Sequence, residues 1–100
     1  MTEIEMYKVV YLTQNDEAAF FGWLDKLSSV EEYYGKGKSL FLKITECSDE
    51  DLREMIALFD RYLVDKAELA KLRTQQNESW FRDPEAWWFN DVFGRESNAI

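Results

Sequence analysis

Residues 30–46 read VEEYYGKGKSLFLKITE and decide the fold. The first half of this segment is rich in β-branched and aromatic residues, as strands are. Gly35-Lys36-Gly37-Lys38 follows, and its two glycines suit the positive φ angles of a tight turn. The second half alternates, with Leu40, Leu42 and Ile44 on one face. The segment therefore predicts a β-hairpin whose return strand has one buried face.

A further strand and a helix precede the hairpin. Residues 4–13 are rich in β-branched and aromatic residues and carry apolar groups on both faces. This pattern predicts a strand at the centre of a sheet or covered on both sides. A helix with Thr13 or Asn15 as its N-cap comes next. Its apolar residues recur at helical spacing, and we expect Phe20 and Trp23 in the core.

A second helix is predicted after the hairpin. Ser48 followed by Asp51 three residues later is a signal for a helix N-terminus. An apolar stripe at helical spacing continues from there and comprises Leu52, Met55, Ile56, Phe59 and Leu63. Two outcomes stay open for residues 49–72. They form either one long helix, or one helix and a second short helix that begins after Asp65.

Residues 80–94, WFRDPEAWWFNDVFG, contain six aromatic residues and three of the four tryptophans. Asp83 suits an N-cap, Pro84 the first helical position, and Gly94 the residue just past a helix end. We therefore expect a short aromatic helix here, which either completes the core or presents residues such as Trp87 to a partner. Residues 95–100 are predicted to be a frayed end.

The predicted order of elements is βαββα followed by short helices. This order predicts one α+β domain over residues 1–100, with a three-stranded sheet and the helices mainly on one face. It corresponds to half of a ferredoxin-like arrangement with a helical extension. The extension is expected to cover a sheet edge or the open face of the sheet.

Composition excludes several kinds of chemistry. The chain has no histidine, so it lacks the usual general base and the usual zinc ligands. The single cysteine, Cys47, lies between Glu46 and Ser48 with Asp49 to Asp51 close behind, and neighbouring carboxylates oppose thiolate formation. Asp49-Glu50-Asp51 lacks the spacing and the glycine of a calcium loop. The sequence therefore predicts a protein that is not an enzyme, with no catalytic residue, no metal and no cofactor.

The net charge of -8 bears on the partners of the chain. Such a chain repels nucleic-acid phosphates and is steered towards a basic protein, for example a toxin nuclease domain. Carboxylates that steer the approach and aromatic residues that anchor the contact are the expected means of binding. The candidate partner-binding residues are Glu31, Glu32, Tyr33, Tyr34, Asp49, Glu50 and Trp87. A homodimer is also possible, and no membrane span or secretory signal is visible, so we expect a cytoplasmic protein.

Three segments together carry a resemblance to a known group of proteins. They are FGWL at residues 21–24, YGKG at residues 34–37 and the terminal WFRDP…W…VFG segment at residues 80–94. In this combination the chain resembles small acidic bacterial α+β proteins, some uncharacterised and others of the toxin-immunity type. The resemblance implies a non-catalytic inhibitor that neutralises a cationic toxin domain. Two alternatives are a homo-oligomeric regulatory or structural protein, and a small-ligand-binding or enzymatic domain that uses carboxylates.

Overall fold

The computed structural model describes residues 1–97, with side chains up to Gly94. Its elements are β1 (Thr2–Tyr7), α1 (Gln14–Asp25), β2 (Val30–Lys36), β3 (Ser39–Ile44), α2 (Asp49–Arg61), a 3-10 helix (Ala67–Leu72), α3 (Glu78–Phe81) and α4 (Phe89–Ser97). The predicted α+β class and βαββα order are confirmed. No helix within the described range combines the length and the apolar character that crossing a bilayer requires.

The sheet is antiparallel, with strand order β1-β3-β2. Its inner face carries Ile4, Met6, Leu42 and Ile44, and all four side chains are fully buried. These residues belong to one core cluster with apolar residues of α1 and α2, which include Phe20, Leu24, Leu52, Met55, Ile56 and Phe59. The helices therefore cover this face. The opposite face, which we call the outer face, carries polar and aromatic residues.

β1 lies at an edge of the sheet, so the first of the two alternatives predicted for this strand, a place at the centre of the sheet, is wrong. β3 holds the centre, and the 3-10 helix covers the free edge of β1. The backbone N–H of Glu5 donates to Glu68 Oε1 at 3.1 Å, and Lys71 Nζ donates to the carbonyl of Glu3 at 3.4 Å. Unpaired backbone N–H and carbonyl groups on an edge strand would allow a strand of another chain to pair with it. The C-terminal extension thus covers an edge, which was one of its two expected places.

β1 is also shorter than predicted, because it ends at Tyr7 instead of residue 13. Lys8 adopts a φ of 56°, in the left-handed region, and its N–H donates to the carbonyl of Lys38 at 2.9 Å. The chain leaves the sheet at this point. Of the two predicted caps, Thr13 is the N-cap of α1, and its side chain accepts a hydrogen bond from Asp16 N.

Two further predictions for the first half of the chain were wrong in detail. Gly35 belongs to β2 and not to the turn, and of the two hairpin glycines Gly37 alone has a positive φ, at 62°. Trp23 was expected in the core but is only half-buried. Its indole Nε1 donates to Glu54 Oε1 at 2.9 Å on the surface. A half-buried position lets the indole N–H reach a hydrogen-bond acceptor, which an apolar core would not provide.

Residues 49–72 form two elements and not one long helix, and the second is of the 3-10 type. α2 ends in a Schellman motif, in which Leu63 N donates to the carbonyl of Asp60 and Val64 N donates to that of Phe59. Leu63 holds the left-handed position of this motif, with a φ of 56°. The left-handed residue ends α2 and turns the chain towards the 3-10 helix.

The aromatic helix was predicted between the wrong boundaries. α4 begins at Phe89, five residues after Pro84, and continues through Gly94 to Ser97. Asp83 accepts a hydrogen bond from Glu85 N and so forms a tight turn instead of a helix cap. In the segment predicted as a frayed end, residues 95–100, α4 continues as far as Ser97, and residues 98–100 lie outside the described residues.

Most of the aromatic segment completes the core. Phe81, Val92 and Phe93 are buried, and Phe81 and Phe93 pack edge to face with ring centroids 5.0 Å apart. Trp88 is partly buried, and its Nε1 donates to the carbonyl of Phe81 at 2.7 Å. Trp87 is the exception in this segment, with 58% of its surface exposed.

Candidate functional site

Ser29, a buried residue between α1 and β2, joins three segments of the chain. Its N–H donates to Asp51 Oδ2 at 2.8 Å, and its carbonyl accepts from Thr45 N at 3.0 Å. Its hydroxyl oxygen accepts from Ser48 N at 3.3 Å. The start of β2, the end of β3 and the start of α2 therefore meet at one residue.

Exposed carboxylates from all three segments gather around this junction. We call this surface the acidic end and define it by Glu31, Glu46, Asp49 and Glu50. None of these four side chains has an ion pair with any described residue. Exposed carboxylates that share one region and make no ion pairs produce a negative local potential. The fold thus brings together three of the seven predicted binding residues, namely Glu31, Asp49 and Glu50.

The alternation of β2 divides the other three candidates of this strand between the two sides of the sheet. Glu32 lies on the outer face, where it forms an ion pair with Lys43 at 3.2 Å. Tyr34 lies on the same face and stacks on Phe41, with ring centroids 5.3 Å apart and an interplanar angle of 18°. Its hydroxyl donates to Glu3 Oε2 at 2.9 Å, and this bond raises the pKa of Tyr34.

Tyr33 points the other way and packs against α1. Its ring lies 5.5 Å from that of Phe21, and its hydroxyl donates to Asp25 Oδ1 at 2.9 Å. The hydrogen bond to Asp25 raises the pKa of Tyr33. Tyr33 and Tyr34 therefore do not form one binding surface, although they are adjacent in the sequence.

Trp87 lies at the opposite end of α2 from the acidic end. The ring of Trp87 has Lys66 Nζ 5.8 Å from its centroid, and Lys66 forms an ion pair with Asp60 at 2.9 Å. Along α2, Asp60 is about 16 Å from Asp49 at 1.5 Å per residue. Trp87 therefore belongs to a different surface from Asp49 and Glu50.

Lys66 is a buried cation that ties this end of the molecule together. Its ammonium group contacts Asp60 of α2 and, at 3.3 Å, Asp91 of α4. Burial opposes the charged form of Lys66, but the hydrogen bonds to the two carboxylates outweigh burial and raise its pKa. The cation is therefore a structural link between α2 and α4.

Cys47 lies next to the acidic end and is half-buried. Burial, reinforced by the carboxylate of Asp51, raises the pKa of the thiol to about 11. The thiol is therefore protonated at neutral pH, which is the unreactive form of a cysteine. Among the residues that the structure describes, no group of three or more potential ligands could hold a metal ion.

A second surface, which the sequence did not predict, lies where α2 ends. A cleft of about 650 Å³ opens between the segment after β1 and the C-terminus of α2. We call it the apolar cleft, and it is lined by Lys8, Val10, Leu12, Thr13, Asp16, Arg61, Tyr62 and Leu63. Residues 9–12 were predicted as part of a strand, and that prediction gave no indication that Val10 and Leu12 are exposed.

Comparison with known proteins gives no assignment. No protein-family model, curated protein or solved structure matches the chain.

Proposed function

We propose that the chain is a non-catalytic acidic binding protein of the immunity type, which neutralises a cationic toxin domain in the cytoplasm. The observation that carries this proposal is the acidic end. The end of β3 and the start of α2, which follow one another along the chain, converge on Ser29 at the start of β2, and four exposed carboxylates in these segments have no ion pair with a described residue. The single cysteine, which has no partner for an intramolecular disulfide, fits a reducing compartment.

The charge of the acidic end suits recognition of a basic protein. Clustered exposed carboxylates attract a positively charged partner over several ångströms and repel acidic competitors. Because Glu31, Asp49 and Glu50 make no ion pairs with described residues, a partner's lysine or arginine need not displace an internal cation. Binding of this kind weakens as ionic strength rises.

Aromatic contacts would come from the outer face, which adjoins the acidic end through β2. The stacked pair Tyr34 and Phe41 presents flat apolar area on that face, next to Glu32. Aromatic residues bordered by carboxylates are typical of the residues that dominate protein–protein affinity. In this proposal Tyr34 and Glu32 contact the partner, while Tyr33 only holds β2 against α1.

The state of Cys47 supports a role without catalysis. A thiol whose pKa is raised to about 11 is a poor nucleophile at neutral pH. The chain also has no histidine to serve as a base for it.

The test is binding to purified cationic nuclease toxin domains, measured by isothermal titration calorimetry together with inhibition of nuclease activity. The informative variant is Glu31→Lys/Glu50→Lys, which reverses two charges at the acidic end. The matched control is Glu17→Lys/Glu85→Lys, which makes the same change in net charge at two other exposed positions. We expect the first variant to bind at least about tenfold more weakly than the second.

Two results would contradict the proposal. One is equal loss of affinity in both variants, which would mean that only the net charge matters. The other is that no cationic toxin domain is bound or inhibited.

A further inference from the structure

The apolar cleft has a chemistry that the rest of the surface lacks. Three of its lining residues are aliphatic and highly exposed, with Val10 at 62%, Leu12 at 84% and Leu63 at 92%. Single exposed aliphatic residues are common on protein surfaces and require no explanation. Three of them around one concavity form an apolar patch, and such patches mark interaction sites.

Leu63 is not explained by the local structure that it occupies. The left-handed position of a Schellman motif favours glycine, and a fully solvated position favours a polar side chain. Leu63 meets neither preference, at a φ of 56° and 92% exposure. Residues that contradict local preferences without a structural compensation are concentrated at functional positions.

Lys8 is the second non-glycine residue with a positive φ, and it lines the same cleft. Its conformation ends β1 and separates the following segment from the sheet. Leu12 N then donates to Asp16 Oδ2 at 2.9 Å, which holds the end of this segment against the start of α1. A hydrogen bond from a backbone N–H therefore holds each end of the segment that carries Val10 and Leu12.

The rim of the cleft is cationic, although the protein as a whole is acidic. Lys8 and Arg61 line it, and neither forms an ion pair with a described residue. Lys38 lies beside Lys8, because its carbonyl accepts the N–H of that residue. The carboxylate among the lining residues, Asp16, already accepts the hydrogen bond from Leu12 N.

We propose that the apolar cleft is a docking site for a short acidic peptide segment of a partner protein, anchored by aliphatic side chains. The aliphatic walls take the anchors, and the two unpaired cations at the rim attract the carboxylates beside them. A volume of about 650 Å³ accommodates several such side chains. The site is independent of the acidic end, which lies at the other terminus of α2 and prefers the opposite charge.

The test uses nuclear magnetic resonance titration of the ¹⁵N-labelled full chain with a defined probe, the acetylated and amidated peptide EDLLEELLE. We expect its amide shifts to concentrate in residues 8–13 and 61–64. The peptide KKLLKKLLK keeps the leucines and reverses the charge, and it should leave those residues unaffected and perturb the acidic end instead. Binding of the acidic peptide should weaken with added salt.

Variants separate the cleft from non-specific apolar contact. Leu12→Ser/Leu63→Asn removes two aliphatic walls, and asparagine tolerates the left-handed backbone at position 63. We expect this variant to bind the acidic peptide at least about tenfold more weakly. Trp87→Ser, which removes an exposed apolar side chain elsewhere, is the matched control and should bind as the unmodified chain does.

Three results would overturn the proposal. The first is an acidic peptide that causes no shifts at residues 8–13 and 61–64 up to millimolar concentration. The second is an equal loss of affinity in the Trp87→Ser control. The third is a concentration-dependent shift of the same residues without peptide, since the occupant would then be a second copy of this chain.

Discussion

The N-terminus and the C-terminus of α2 differ in how they are stabilised and in what they expose. At its start, Ser48 caps the backbone, and Asp51 and Ser29 satisfy the neighbouring donors. At its end, a leucine holds the left-handed position and remains exposed. The first end has side-chain hydrogen bonds at its cap and excess negative charge, whereas the second has exposed apolar surface and two cations without ion pairs to described residues. The carboxylates at the first end and the apolar side chains and cations at the second make few contacts within the fold. These groups are therefore the ones that indicate function.

The largest effect that we expect concerns Cys47, whose half-buried thiol lies next to the acidic end. Its thiol, with a pKa of about 11 against an ordinary 9.0, should react with iodoacetamide about a hundredfold more slowly than glutathione at pH 7.5. The rate should rise about tenfold for each pH unit, because below the pKa the thiolate fraction follows the pH. Alkylation followed by mass spectrometry measures it. A rate equal to that of glutathione would show that Cys47 is neither buried nor close to the carboxylates.

The next effect concerns the junction at Ser29. Asp51→Ala removes the acceptor of Ser29 N and leaves that partly buried N–H without a partner, so we expect a loss of about 2 kcal/mol in the free energy of unfolding. Asp51→Asn keeps an oxygen acceptor without the charge and should lose about half as much. Urea denaturation of both variants measures the difference. Equal losses for alanine and asparagine would mean that the charge of Asp51, and not the hydrogen bond, holds the junction.

The acidic end illustrates what sequence patterns can predict. Ser48 and Asp51 predicted the start of α2 correctly, because an N-cap and the residue three positions later interact locally. The carboxylate of Asp51 nevertheless bonds to Ser29 instead of to the cap residue. That partner is 22 residues away, and no local pattern encodes such a contact. Glu31, Asp49 and Glu50 were therefore identifiable as candidates, whereas their convergence was not.

The other end illustrates where strand-like composition misleads. Val9, Val10, Tyr11 and Leu12 continue the strand-like composition of β1, yet the chain turns at Lys8. A lysine in the left-handed region gives no sequence signal, because glycine or asparagine is the usual marker. The apolar cleft was missed for this reason. The edge position of β1 was missed for a related one, since it depends on the distant 3-10 helix that covers the strand.

A smaller effect tests whether Leu63 is kept at a cost to stability. Leu63→Gly relieves the left-handed strain and removes an exposed apolar side chain, so we expect a gain of about 1 kcal/mol in the free energy of unfolding. Leu63→Ala removes most of the side chain but keeps the strain, and it should change stability little. Thermal and urea denaturation of the two variants give the comparison. No gain with glycine would mean that the native backbone is not strained at this position.

The smallest effect that we expect comes from removing one negative charge, either within the acidic end or at an exposed position outside it. Glu46→Gln removes one of four neighbouring uncompensated carboxylates and should raise the free energy of unfolding by about 0.3 kcal/mol in low salt. In about 0.5 M NaCl the gain should vanish, because the screening length falls well below 10 Å. Glu85→Gln, outside the acidic end, should show no such salt-dependent gain. If both variants responded alike to salt, the whole net charge and not the gathering at Ser29 would govern this surface, and the contrast between the two ends of α2 would rest on the apolar cleft alone.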